Sequence, residues 1–400
     1  MSSDRARTGY KETAIGLIPE DWEVKSIGDI GFVSSGGTPS RTNPLYWNGD
    51  IPWITTTQID FNTIHSAEQF ITQDGLNNSA AKIFPSGTLL MAMYGQGKTR
   101  GKIARLGVEA STNQACAAIA LNQNVHHGYI FHYLVSQYDT IRLLSNTGNQ
   151  ENLNGLIIKS IRVPFPPLSE QRSIAEALSD VDALIASIAS LITKKRHLKT
   201  ATMQQLLTGR KRSLEFSDEW QTLRLSDLFE ITAGRDLVKG NYSEIDDDIH
   251  PYPIYANSVF NGGIYGYSKV KEYEGDCITV TARGTLGVSY YRATPFVAIG
   301  RLIVLKPISK VDSFFLSELI NHQIKFANES TGVPQLTAPQ ISKCELSVPR
   351  LEEQHAIAKI LSDMDTEIAA IETRLAKTQA IKQGMMQQLL TGRIRFKIEA

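Results

Sequence analysis

Apolar residues along the chain fall into two long lines with alternating spacings of four and three. The first runs Ile174, Leu178, Val181, Ile185, Ile188, Ile192, and the second Ile357, Leu361, Met364, Ile368, Ile371, Leu375. That alternation is the a/d seam of a heptad and predicts two long helices, each with a narrow apolar line. The ends are punctuated alike. Pro166-Pro167 precede Ser169-Glu170, and Pro349 precedes Glu352-Glu353, which puts helix-excluding residues outside and acids in the first turn. Gly209 and Gly392 stand where a left-handed C-terminal cap is expected. Some ~40 residues at ~1.5 Å rise make a rod of roughly 60 Å.

The two lines belong to an internal repeat. Gln204-Gln205-Leu206-Leu207-Thr208-Gly209-Arg210 recurs unchanged from Gln387 to Arg393, an offset of 387 − 204 = 183. The same offset lays Glu170-Gln171 on Glu353-Gln354 and Asp182 on Asp365. A repeat of this length marks duplication. Farther upstream, Trp22, Asp29 and Gly36 align with Trp220, Asp227 and Gly234 at an offset of 198, while the residues between these edges and the helices differ. The order is variable, repeated, variable, repeated. Expected boundaries are 1–165 for the first variable domain, 166–211 for its helical segment, 212–348 for the second variable domain and 349–400 for its helical segment. A seam so narrow requires a partner helix, and a two-fold axis relating the copies makes the pair antiparallel.

In the variable domains, Thr88–Met93 and Cys277–Thr281 are β-prone runs leading into glycine-rich turns, whereas Ile130–Val135 and Phe314–Ile320 have helical patterning. The fold class is therefore α+β: two mixed α/β domains separated by two long helices in an antiparallel coiled coil, with a pseudo-two-fold internal repeat.

Composition narrows the function. At 400 residues, 42% apolar and 20% charged, the chain is a folded, multidomain protein. No apolar run is long enough to cross a bilayer and no apolar signal core follows Met1, so a cytoplasmic protein without a membrane partner is expected. Cys116, Cys277 and Cys344 are too few and too scattered for a disulfide framework or zinc ribbon, and are read as free thiols. Lys+Arg 41 balance Asp+Glu 41, which excludes an indiscriminate nucleic-acid coat but not a reader with local basic patches.

Catalytic motifs are absent or broken. Gly95-Gln96-Gly97-Lys98-Thr99 resembles the end of a phosphate-binding loop, but Ala92 stands where the leading glycine belongs and β-prone residues follow. Asn43-Pro44-Leu45-Tyr46 is similar to the amine-gripping motif of DNA methyltransferases, but Leu45 replaces a proline and no glycine fingerprint for a methyl donor lies upstream. The eight histidines form no His-Glu-x-x-His pattern, and no metal site is expected.

What remains is a donor set suited to DNA. Gln96, Lys98, Thr99, Arg100 and Lys102 lie among glycines that allow close backbone approach, and Arg283 and Thr285 occupy the matching turn of the second domain. Arg41 and Arg235 mark a second turn in each half. A coiled-coil scaffold binding proteins rather than DNA fits the helices equally well, and this alternative stays open on these patterns.

Two unlike domains, each followed by a near-identical helix ending Gln-Gln-Leu-Leu-Thr-Gly-Arg, resemble the specificity subunit of type I restriction-modification systems. So do Ile15–Val24, Pro167–Gln171 and Leu351–Gln354. The resemblance spans nearly the whole chain. It implies a non-catalytic subunit whose two target-recognition domains each read half of an asymmetric double-stranded DNA sequence. It also implies helices that act as a spacer and dock methyltransferase subunits, two of them by symmetry. S-adenosylmethionine, ATP and Mg would then belong to those partners and to separate motor/nuclease subunits, leaving no cofactor on this chain.

Overall fold

The computed structural model describes residues 9–95, 97–144, 152–325 and 335–396. They form two compact units. The N-terminal unit holds residues 1–189 together with 373–400, and the central unit holds 190–372.

The variable domain of the N-terminal unit is built around two larger sheets. One has five strands in the order Gly31–Ser35, Cys116–Leu121, Leu89–Ala92, Ile103–Leu106, Thr63–Ile64. The other has four, in the order Gln69–Ile71, Trp47–Ile54, Ala110–Thr112, Ile83–Phe84. The apolar run Leu89–Ala92 is a central strand covered on both faces. Leu89 and Met91 pack with Tyr129 and Ile130 of helix His127–Ser136, while Leu90 and Ala92 face Ile54, Ile64 and Phe84. A two-residue period with both sides buried removes the polar alternation expected of a half-exposed strand.

The central unit repeats the plan. Its first sheet runs Phe229–Ala233, Ile303–Pro307, Cys277–Val280, Ser289–Arg292, and its second runs Tyr242–Ser243, Ile264–Ser268, Tyr252–Tyr255, Val297–Ala298. Ile278 and Val280 pack with Phe315 and Leu319 of helix Ser313–Gln323, and Cys277 faces Phe296 and Val304. All three cysteines are free; burial pushes the Cys116 thiol up to about 12 and Cys277 to about 11.

The heptad lines are two helices of 39 residues each, Leu168–Leu206 and Leu351–Leu389. Within the N-terminal unit, Asp182 of the first pairs with Lys382 of the second at 2.6 Å. Within the central unit, Lys199 pairs with Asp365 and Lys195 with Glu367, each at 2.6 Å. Residue numbers fall on one helix as they rise on the other, so the helices are antiparallel. Asp182–Lys382 and Lys199–Asp365 are the same pair repeated at the offset of 183. Such half-exposed pairs contribute at most about 1 kcal/mol each, and the buried seam contributes more.

Ile174, Leu178, Ile188, Ile192, Ile357, Leu361 and Ile368 are buried, while Val181, Ile185, Met364, Ile371 and Leu375 are half-buried. The leading members do more than pair helices. Ile174 and Leu178 share one cluster with the N-terminal variable domain and with Leu389 and Leu390, and Ile357 and Leu361 do the same in the central unit with Leu206 and Leu207. Each unit's core is thus closed by the last turn of the helix from the other repeat.

The Glu-Gln pair at each helix start explains itself in these contacts. Buried Gln171 accepts from the His126 amide at 2.9 Å and donates to the Pro166 carbonyl at 2.8 Å. Gln354 does likewise with Asp312 and Pro349. Glu170, beyond its place at the helix dipole, accepts from Trp22 Nε1 at 3.0 Å and from the Arg395 guanidinium at 2.7 and 2.9 Å. Glu353 receives Arg212, the counterpart of Arg395, at 2.6 and 2.8 Å.

One docking position differs between the repeats. His132, six residues beyond His126, lies 3.9 Å from Asp182; Glu318, six beyond Asp312, faces Lys199 and Asp365. Burial lowers His132 to about 4, with Lys382, Arg105 and His126 acting the same way and Asp182 opposing them. Burial raises Glu318, Asp365 adds to it and Lys199 opposes. The signs differ. Between about 6.5 and 4 the unfolded chain binds a proton that folded His132 refuses, so His132 itself makes the N-terminal unit less stable on acidification. Folded Glu318 holds its proton to higher pH than an unfolded glutamate, so its own contribution to the central unit grows on acidification. Thermal unfolding followed against pH should show His132→Gln reducing the acid loss and Glu318→Gln removing a gain. Parallel curves for both variants and the parent chain would contradict the assignment.

Candidate nucleic-acid interface

In the N-terminal unit, strands Leu89–Ala92 and Ile103–Leu106 pair antiparallel, so residues 93–102 form the connecting loop. Gly95, Gly97 and Gly101 take positive φ there, which side chains rarely adopt. Helix Tyr138–Leu143 fastens the loop. The Tyr138 hydroxyl donates to the Lys98 carbonyl, and Arg142 Nη2 donates to the Gly97 carbonyl. Lys98 is exposed, Thr99 packs half-buried on Gly95, and Arg100 is half-buried with its Nε unpartnered among the described residues. Lys102 differs from the expectation of an open cation. Its ammonium meets Asp60 at 2.5 Å beside the Phe61 ring, so most of its charge is answered within the domain. Gln96 lies outside the described residues.

The second domain presents the equivalent loop between Cys277–Val280 and Ser289–Arg292. Thr281 braces it, its hydroxyl donating to the Thr285 carbonyl at 2.5 Å and accepting from the Val288 amide at 2.9 Å. Thr285 is exposed, and Arg283 is exposed with Nη2 3.3 Å from Gln335 Oε1. The two basic turns named from sequence therefore occupy the same place in one sheet plan.

The second loop of each domain follows the first strand of its first sheet, Gly31–Ser35 or Phe229–Ala233. Arg235 is exposed; its backbone pairs with Ala298 and Gly300. Arg41 stands in a more built setting. Its guanidinium lies 3.8 Å from the Trp47 ring centroid and 4.9 Å from that of Trp53, and its Nη1 donates to Gln69 Oε1 at 2.8 Å. At the loop root, Met93 and Tyr94 border a cavity of about 520 Å³ lined also by Ser34, Gln114 and Lys159; Gln114 accepts from the Thr38 hydroxyl at 2.5 Å.

Sequence reasoning missed Trp47, Trp53, Gln69, Gln114, Tyr138 and Arg142. One signal was available: two of the four tryptophans lie within twelve residues of Arg41. The others are brought in by pairing between distant strands. Among the described residues no cluster of His, Cys, Asp and Glu could hold a metal, and no helix is long and apolar enough to cross a membrane.

Comparison with known proteins accounts for this arrangement. Residues 19–194 and 217–383 each match the type I restriction modification DNA specificity domain. The chain is 24% identical to the type I restriction enzyme MjaIX specificity subunit of Methanocaldococcus jannaschii, with 99% of each covered. It is 25% identical to the EcoprrI specificity subunit of Escherichia coli, covering 89% of this chain and 90% of that one. In fold it is similar to the S subunit of the type I system of M. genitalium, with a TM-score of 0.62 at 17% identity, covering 94% of this chain and 97% of that chain. With both halves of the doubled sheet plan matched by the same family model, the chain belongs to the DNA specificity family of type I restriction-modification systems.

Proposed function

We propose that this chain is the non-catalytic reading subunit of a type I restriction-modification complex, each recognition domain reading one half of a bipartite, asymmetric double-stranded target. The supporting observation is a single strand pair used twice to carry dissimilar turns, Lys98-Thr99-Arg100 in one domain and Arg283-Gly284-Thr285 in the other. A duplicated frame with identical turns would favour a palindrome; dissimilar turns favour unlike half-sites. The long helices set the number of unread base pairs and dock two methyltransferase subunits, through which motor/nuclease subunits join. S-adenosylmethionine, ATP and Mg are held by those partners. The domain boundaries near 165, 211 and 348 follow from this division of labour.

The test is a methylation map from cells expressing the chain with its methyltransferase partner. One heptad added to each long helix, at points related by the offset of 183, preserves the a/d register and adds about 10 Å, or roughly three base pairs of unread spacer. Both half-sites should stay unchanged. A map with the parental spacing would refute the helical ruler, and purified complex with no salt-dependent duplex binding would favour a protein-binding scaffold instead.

A further inference from the structure

We propose that Arg41 is a base-reading side chain of the N-terminal recognition domain and that its ligand is the O6/N7 edge of a guanine in the major groove. This rests on the DNA-reading function above and assigns one residue of that surface a base. The assignment comes from how Arg41 is held. Its loop is tied down at successive points: the Gly37 amide donates to the Thr112 carbonyl at 2.9 Å, Trp53 Nε1 to the Gly37 carbonyl at 2.9 Å, and Trp47 Nε1 to the Ser40 carbonyl at 3.0 Å. The two indoles meet edge to face at 5.1 Å, and the guanidinium lies over both. One nitrogen is engaged by Gln69, which fixes the fork and leaves further donors for a bidentate contact.

Other stacked or basic groups show what makes Arg41 different. Arg292 in the central unit also lies over aromatic rings, 3.5 Å from Tyr255 and 4.9 Å from Tyr290, but it is buried. Its donors go to Thr279 and the Gly262 carbonyl, so it braces the domain. Lys102 is answered by Asp60. Arg41 alone of these three is exposed, and no carboxylate pairs with it among the described residues. A planar fork already immobilised on aromatic faces, with its charge unanswered, loses little freedom when it meets a flat ligand edge with two acceptors. Guanine is the base that presents two adjacent acceptors in the major groove. A phosphate also accepts two bonds, and the variants separate these sources.

The full chain, co-expressed with its methyltransferase partner, is assayed by mapping methylated sites for the parent, Arg41→Lys, Arg41→Ala and, as a control in the other domain, Arg283→Ala. A bipartite parental map confirms the reading function; its absence would remove that function and this assignment together. Given a bipartite map, Arg41→Lys and Arg41→Ala should each relax one guanine position in one half-site, by about 10- to 100-fold in preference, with the other half unchanged. Arg283→Ala should spare that half. If Arg41→Ala abolishes methylation through loss of the loop, the lysine variant decides, since it keeps the charge but not the fork. An unchanged motif in Arg41→Lys, or an even loss of methylation at all sites with every base preference kept, would overturn the assignment and leave the parental reading function intact.

Discussion

Gly392→Ala is expected to destabilise the N-terminal unit by about 3 kcal/mol, while the identical change in the identical motif at Gly209 destabilises the central unit by about 1 kcal/mol. Both glycines close their helices in the left-handed region, at φ +69° and +67°. The two long helices end in matching capping bonds, Lys211 N to Gln205 O on the first and Ile394 N to Gln388 O on the second, both at 3.2 Å. The backbone cost of a side chain is therefore shared, on the order of 1 kcal/mol. The surroundings are not shared. A Cβ on Gly209 would sit 3.5 Å from the Trp220 ring, an ordinary contact, whereas one on Gly392 would come within 2.5 Å of Pro19 and 3.2 Å of Trp22. A rigid proline must move, adding roughly 2 kcal/mol. Denaturant unfolding read through Trp220, the one tryptophan within residues 190–372, separates the units. Equal losses for the two variants would contradict this packing.

Arg395→Ala should cost the N-terminal unit about 3 kcal/mol, toward the low end for stripping the partner from a buried carboxylate, because Trp22 still donates to Glu170. Glu170 is 1% exposed, so water cannot replace the guanidinium. Arg395 also forks onto Asp21 at 2.7 and 2.8 Å, which holds the Asp21 carboxyl below its ordinary range. That part of the stability is present at neutral pH and is lost only as strong acid titrates Asp21 through its lowered value. Lysine cannot serve both acids bidentately, so Arg395→Lys should recover only part of the loss. Lys382→Ala, removing a half-exposed pair with Asp182, should cost under about 1 kcal/mol. Comparable losses at Arg395 and Lys382 would show that Glu170 is better solvated than its burial indicates.

Much of the scaffold could be read in the residues because its signals are local. Ile174 to Ile192 and Ile357 to Leu375 declare their helices by spacing, the prolines and glycines bound them within a few residues, and the offset of 183 pairs them. The sheets were not legible. Strands such as Thr63–Ile64 and Ile83–Phe84 are two residues long and gain their partners from far along the chain. The basic loops were visible as composition, but which cations stay open depends on distant neighbours. Asp60 takes Lys102, while Gln69, twenty-eight residues on, steadies Arg41. Glycine patterning reveals where a loop can bend, and the tertiary neighbours decide which of its charges reach solvent.

Because Glu170 meets Arg395, 225 positions later, the N-terminal unit cannot finish folding when its first 189 residues leave the ribosome. Ile174 and Leu178 pack on their own domain but lack part of their cover until Leu389 and Leu390 emerge. The central unit, drawn from one continuous stretch, is complete earlier. The expected order during synthesis is therefore the reverse of the usual N-terminal-first sequence: the middle of the protein matures first, and the beginning last.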